Sequence, residues 1–194
     1  MVDDAFYELL AALLRAPSVV GQERPFFRVL RRELEEFGVR VKQYQGILVA
    51  EGEEPASALA SAHIDRHGLM CTGPGEFQYA AFLAQNRGDQ KGESVSEQTR
   101  STITERFDEQ RGYAYDPSSG SYLGQGDITS VKLCLRCDNL GFSVAGLEHL
   151  EAGTPVAYLD RLRLTTDHCI GQLDNALSAA MLVYAFRQGY RGTA

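Results

Sequence analysis

The sequence predicts an α/β fold, a mixed sheet flanked by helices, with a small mostly-β domain inserted into it. Three observations carry this reading. Two amphipathic helical patterns open the chain and lead into strand-like segments. A stretch of different composition follows, from about Leu69 to Asp167. An apolar helical pattern then returns near the end. The expected division is 1–69 with 167–194 for the α/β part and 70–166 for the insertion. At 194 residues, with 44% apolar and 23% charged, the chain is long enough for one ordinary domain and a small second one, and a disordered or fibrous class is excluded.

Between Asp3 and Arg15, the residues Phe6, Leu9, Leu10, Leu13 and Leu14 recur at helical spacing behind two acids that complement the helix dipole. Pro17 and Gly21 interrupt. A second helical pattern follows through Phe26, Phe27, Leu30, Leu34 and Phe37, and Gly38 stops it. Three strand candidates come next. Val39 to Tyr44 alternates apolar and charged residues, as a half-exposed strand does. Ile47 to Ala50 is short. Ala58 to Ile64 is a mostly apolar run suited to a sheet covered on both faces.

The insertion begins near Met70. From Gln85 to Gly126 it is dense in Gln, Gly, Ser and charged residues, yet Ile103 and Phe107 stand four apart inside a short helical pattern. Tyr113, Tyr115 and Tyr122 flank the turn signal Asp116-Pro117-Ser118-Ser119-Gly120, which predicts a hairpin at the end of a flexible stretch. Strand patterns return from Ile128 to Cys137 and from Val156 to Leu159. The last segment, Ala176 to Phe186, has ten apolar residues among eleven, so a helix there needs covering on every side. Either a partner subunit covers it, or the chain is the N-terminal part of something longer. In isolation the chain is expected to be unstable or aggregated, or to bury this helix against a second copy or a C-terminal half.

The formal charge of −7, from 19 basic and 26 acidic residues, is the wrong sign for a surface that collects phosphates, so no nucleic-acid partner is expected. The start Met1-Val2-Asp3-Asp4 lacks a basic leader, and no apolar run is long enough to span a bilayer. The expectation is a cytoplasmic protein with no membrane partner. Four cysteines are too few and scattered for a disulfide framework. Cys134 and Cys137, three apart in a strand pattern, face opposite sides and read as two unrelated small residues. His168-Cys169 lacks the spacing of a structural zinc site. His67 and His149 read as surface or loop residues, His67 close enough to His63 to stand at the mouth of a site there. Neither a phosphate-binding Gly-Lys-Ser/Thr loop nor a Gly-x-Ser-x-Gly nucleophile elbow occurs.

Two places carry chemistry. In Ser61-Ala62-His63-Ile64-Asp65, residues two apart on a strand share a face. His63 and Asp65 therefore project together where ligand sites of open α/β sheets collect. An imidazole there suits a metal, with the carboxylate orienting the ring. By itself the triplet equally fits a histidine that hydrogen-bonds its neighbour. In Gly171-Gln172-Leu173-Asp174-Asn175-Ala176, Asp174 precedes the apolar helix and fits a helix cap as well as a ligand. The two lie at opposite ends of the insertion, so a carboxylate from one and an imidazole from the other can meet on a metal.

Pro17-Ser18-Val19-Val20-Gly21-Gln22-Glu23, Gly46-Ile47-Leu48-Val49-Ala50, Ala62-His63-Ile64-Asp65-Arg66-His67-Gly68-Leu69 and Leu173-Asp174-Asn175 stand in an order that resembles the dinuclear metallo-aminopeptidases of the glutamyl and deblocking, tetrahedral-particle type, in the zinc-exopeptidase clan. The stretch from Leu140-Gly141-Phe142 to Gly153-Thr154-Pro155-Val156 matches loosely. The resemblance implies a zinc-exopeptidase-like α/β domain that is incomplete at its C-terminus. It implies a peptide substrate, a homo-oligomer, and two divalent metal ions, zinc or cobalt, in the complete enzyme. By it His63 is a terminal metal ligand, Asp65 the carboxylate behind it that serves catalysis, and Asp174 the bridge between two metals.

Two departures follow. His67 stands where the family has a small apolar residue. The family's paired glutamates, one of them the general base, come beyond the point where this sequence stops, as do a further carboxylate and a final histidine. The resemblance thus implies a metal-dependent aminopeptidase that releases N-terminal residues. The chain itself is expected to be inactive, with weak or absent metal. The alternatives are another amide hydrolase of the clan, a carboxypeptidase or deacylase, and a noncatalytic oligomerisation module.

Overall fold

A computed structural model of the chain describes residues 4–84, 96–134, 139–158, 162–165 and 168–194. In chain order the elements are α1 (Asp4–Arg15), α2 (Arg24–Glu35), β1 (Arg40–Tyr44), β2 (Ile47–Glu51), β3 (Gly68–Gly73), β4 (Glu76–Tyr79), α3 (Ala80–Ala84), α4 (Glu97–Phe107), β5 (Arg111–Tyr115), β6 (Tyr122–Cys134), β7 (Asn139–Ala145), β8 (Pro155–Tyr158), β9 (Arg163–Leu164), β10 (Cys169–Ile170) and α5 (Leu173–Arg187). The chain divides into two compact units. One comprises Met1–Ser18, Glu23–Arg66 and Asp160–Ala194, and the other Val19–Gln22 and His67–Leu159. No helix among the described residues is long and apolar enough to cross a membrane.

The first unit is built on three helices. The apolar stripe of α1 buries Leu9, Leu10, Leu13 and Leu14 against Phe26, Leu30 and Leu34 of α2 and against Ala176, Ala179, Ala180, Val183 and Phe186 of α5. Each large side chain buried this way contributes about 1.5–3 kcal/mol, which is why both helices stand where their spacing predicts. α2 ends at Glu35, and a further turn brings the chain to Gly38, whose φ of +71° suits glycine. β1 and β2 form an antiparallel hairpin with Tyr44 opposite Ile47, turning at Gly46.

The mixed sheet expected from the sequence exists here only in rudiment. Beyond β2, Ala50 and Ala194 exchange main-chain hydrogen bonds of 2.7 and 2.9 Å. Thr193 in turn donates to the Ala58 carbonyl at 2.8 Å and accepts from the Ala60 N–H at 2.9 Å. These are isolated bridges, antiparallel to Glu51 and parallel to Leu59. Ala58 to Ile64 is therefore not the buried strand its composition suggests. Among the described residues no ladder extends it, and Leu59 is 79% exposed. An apolar run becomes a buried strand only when neighbouring strands and a covering layer are present, and this one has a single bridge.

α5 is the helix expected over Ala176 to Phe186. One face is buried on α1, but Met181 is 58% exposed, so the helix is covered on one side only.

The second unit is a closed six-stranded antiparallel barrel in the order β3-β4-β7-β6-β5-β8. Its interior follows the two-residue period: Leu69 and Cys71, Phe77 and Tyr79, then Leu140, Phe142 and Val144 all point inward. α4 closes the core with Ile103 and Phe107, the latter stacked on Tyr158 at 4.7 Å. The hairpin expected around Asp116 to Gly120 is β5–β6, and the strands expected from Ile128 and from Val156 are β6 and β8. Residues 85–95 of the compositionally biased stretch, the end of the strand expected to reach Cys137, and the Leu159 end of the next lie outside the described residues.

Candidate functional site

His63 and Asp65 lie two apart in the extended segment after Ala60, so their side chains project to one side. The Asp65 Oδ1 stands 3.2 Å from Nδ1 of His63. The other ring nitrogen, Nε2, is 3.1 Å from Oδ1 of Asp174. One imidazole thus spans two carboxylates, one from its own segment and one from the start of α5. Their side chains are 53%, 47% and 77% exposed, and polar contacts so open to water add little to folding stability.

Asp174 and Asn175 lie outside helical φ/ψ at the beginning of α5 and are joined by a cis peptide bond. The cap position is taken by Gln172, with no side-chain cap bond. The capping role that Asp174 could have had is therefore not the one it takes, and its carboxylate meets His63.

On the other side stands Arg66, which sequence reasoning quoted within a motif but gave no role. Its side chain is buried. Nε donates to Ser18 Oγ at 2.8 Å, Nη1 to the Leu14 carbonyl at 3.1 Å and Nη2 to the Ala16 carbonyl, while the guanidinium lies over the ring of Phe26. The Arg66 N–H donates to the Ser18 carbonyl at 2.7 Å. A cation at the end of α1 meets the carbonyls that a helix leaves without partners. Nothing in the sequence around Arg66, which stands between Asp65 and His67, marks it for burial.

The donor chemistry suits a metal as far as it goes. Two donors held at about 2.0–2.2 Å by a tetrahedral zinc are about 3.3 Å apart, close to the His63–Asp174 separation. Asp65 on the opposite ring nitrogen is the partner that fixes the orientation of a ligating imidazole. The count is short, because a catalytic zinc takes three protein ligands. Among the described residues no group of three or more His, Cys, Asp or Glu is placed to hold a metal ion. His63 and Asp174 can hold part of a coordination sphere.

The remaining residues singled out by the sequence lie elsewhere. His67 lies in the loop just before β3 and is half-buried, its Nδ1 bonded to the Tyr79 hydroxyl and its ring stacked on Tyr79. His149 is exposed. His168 closes a turn with Thr165, whose N–H donates to the His168 carbonyl at 2.9 Å. Cys137 lies outside the described residues. Cys71 is buried, and that burial pushes its thiol above the ordinary range.

No protein-family model and no curated protein matches the sequence. Solved structures do. A TET aminopeptidase from the marine sediment archaeon Thaumarchaeota archaeon SCGC AB-539-E09 superposes on 95% of this chain with a TM-score of 0.65 at 15% identity. The aminopeptidase APDkam598 from the archaeon Desulfurococcus kamchatkensis superposes on 98% with a TM-score of 0.64 at 13% identity. PhTET1-12s, a dodecamer, superposes on 96% with a TM-score of 0.65 at 17% identity. The chain covers 54%, 55% and 57% of them, respectively, and so spans about half their length. Across nearly all of its own residues, this chain is similar in fold to the TET aminopeptidases over about half of theirs.

Proposed function

We propose that the chain is a portion of a metal-dependent aminopeptidase, carrying His63 and Asp174 as metal ligands and Asp65 as the carboxylate that orients His63. The observation that carries this reading is the imidazole of His63 held between Asp65 at 3.2 Å and Asp174 at 3.1 Å, in a chain similar in fold to about half of a TET aminopeptidase. In the complete enzyme His63 and Asp174 would be among the residues that hold two divalent ions, zinc or cobalt, which would supply an activated water for hydrolysis, and a general base and further ligands would come from outside these 194 residues. Among the described residues His63 and Asp174 supply only part of a coordination sphere, so the proposed centre needs further ligands. Residues 70–166 form the inserted domain, and the protein works as a homo-oligomer on peptides inside the cell.

The test is release of the first residue from short peptides by the protein encoded by the whole reading frame that contains this chain, with zinc or cobalt supplied. Free N-termini are expected to be cut and N-acetylated ones left, and His63→Ala or Asp174→Ala is expected to abolish the cut. The 194-residue chain alone is expected to release nothing. Cleavage from the C-terminus or of acyl groups would favour another hydrolase of the clan. Inertness of the whole protein with metal bound would leave an oligomerisation module.

A further inference from the structure

We propose that α4 is a sprung lid on the barrel. It leaves the barrel as a unit, at far lower cost than unfolding, because two strains of the closed arrangement, at Tyr158 and at Glu109, are released when it goes.

Little holds the lid down. Of the eleven residues of α4, Ile103 and Phe107 alone are buried, at 8% and 1% exposure, and the others are half-buried or exposed. A helix of this length is marginal in water without tertiary packing. Its place therefore rests on two side chains. Phe107 is the larger of them, with ring centroids at 5.1 Å from Phe142 and 5.8 Å from Tyr79, and it stacks on Tyr158. When α4 leaves, these three rings are uncovered.

Two features work against closure. The hydroxyl oxygen of Tyr158 is buried and has no hydrogen-bond partner among the described residues. Burial pushes the phenol pKa above the ordinary tyrosine value, and the charge of Arg106 in the last turn of α4 acts against that rise. A hydroxyl closed in without a partner carries its full desolvation penalty, and water removes that penalty once Phe107 is lifted away. The second feature is the joint. Just past the helix cap at Asp108, Glu109 stands at φ +54°, a left-handed backbone that a residue with a Cβ disfavours. At the next residue the barrel grips the chain, because the Gln110 carbonyl accepts the Ile128 N–H at 3.0 Å. Glu109 is therefore the point about which α4 turns.

The experiment follows amide hydrogen exchange by mass spectrometry in the protein encoded by the whole reading frame that contains this chain. Peptides covering α4 and β7 report on the lid and on the barrel. The α4 amides are expected to exchange about 100-fold faster than those of β7, yet slower than a free peptide. Mild urea is expected to leave the α4 rate unchanged, since a local opening exposes little surface. Tyr158→Phe removes the stranded hydroxyl and is expected to slow α4 exchange about tenfold. Glu109→Gly accepts the left-handed backbone and is expected to slow it about fivefold.

Protection of α4 equal to that of β7 overturns the lid, and so does an α4 rate that climbs with urea in step with the barrel. Slower exchange of β7 in Tyr158→Phe with the parental rate in α4 overturns it too, because the phenol is then freed only by unfolding of the whole unit. Exchange of α4 that either variant leaves at the parental rate overturns the release of strain. None of these readouts involves metal or peptide cleavage, so the lid stands or falls apart from the function proposed above.

Discussion

The hydroxyl of Tyr115 on β5 accepts the main-chain N–H of Val19 at 3.1 Å, although 96 positions separate them in sequence. The same hydroxyl donates to the Gln22 carbonyl at 3.2 Å. The short segment Val19–Gln22 belongs to the barrel unit, tied to it by this phenol, itself 0% exposed, and by the packing of Val19 with Ala80 and Ala157. Tyr115→Phe keeps the ring and removes both bonds. It is expected to cost about 1–3 kcal/mol, the penalty for stranding a buried N–H. The change will appear as a lower urea midpoint at unchanged slope, with faster hydrogen exchange at Val19. A variant as stable as the parent, with Val19 still protected, would show that the segment is held by packing alone.

Gly192 lies where two backbones come close. A Cβ built there would stand 2.5 Å from the Ala58 carbonyl oxygen and 2.6 Å from the Tyr190 hydroxyl. Gly192→Ala must push Ala58 away and break the Thr193 bridge, at a cost of about 2 kcal/mol or more. Hydrogen exchange at the Ala60 and Thr193 amides will rise first. Unchanged protection there would refute the close approach.

Glu51 accepts from Lys42 Nζ at 2.9 Å across the β1–β2 hairpin, with Arg40 Nε at 3.4 Å. The Lys42 hydrogen bond holds its carboxyl below the usual carboxylate range. A carboxyl whose pKa is lower folded than unfolded stabilises the fold above the unfolded value. That contribution is lost as pH falls through it toward the folded value. Replacing Glu51 with Gln is expected to flatten the acid limb of the stability-against-pH curve and to leave its neutral plateau nearly unchanged, since exposed pairs contribute little. A variant with the parental acid limb would show that the pair does not form in solution.

Ala180 and Met181 are neighbours on α5 with opposite surroundings, 0% and 58% exposed. Ala180→Leu forces three extra carbons between α5 and α1 and is expected to destabilise by about 1–3 kcal/mol. Met181→Lys is expected to stay within about 0.5 kcal/mol. Thermal unfolding of the two variants checks both, and equal effects would mean that α5 does not sit on α1 as described.

The parts of this chain legible from sequence are those whose periodicity is local. Leu9, Leu10, Leu13 and Leu14 announce α1 because a helix bonds only to itself, and Tyr113, Tyr115 and Tyr122 announce a hairpin because the turn residues sit between them. Ala58 to Ile64 misled for the complementary reason: its apolar character says what kind of sheet it suits, while its partners are a matter of the rest of the chain. The hairpin of β3 and β4 was missed because Gly73-Pro74-Gly75 separates two short runs, Leu69 to Cys71 and Phe77 to Tyr79, too brief to carry a period. At the site, His63, Asp65 and Asp174 were visible as chemistry. Arg66 was not, because its meaning lies in carbonyls of a helix some fifty positions earlier.

The barrel is a ring, and a ring has no first or last strand. Every strand from β3 to β8 has a neighbour on both sides, so these strands offer no row of spare main-chain donors and acceptors for another polypeptide to zip onto. Contacts made through the strands are therefore side chain against side chain, at patches such as Tyr122 and Leu123, 61% and 44% exposed. Such contacts can be rewritten by single substitutions without disturbing the fold beneath. The open margin of the β1–β2 hairpin is different, a place where chains can share backbone hydrogen bonds, and Arg40 and Lys42 stand along it as charges that discourage such growth.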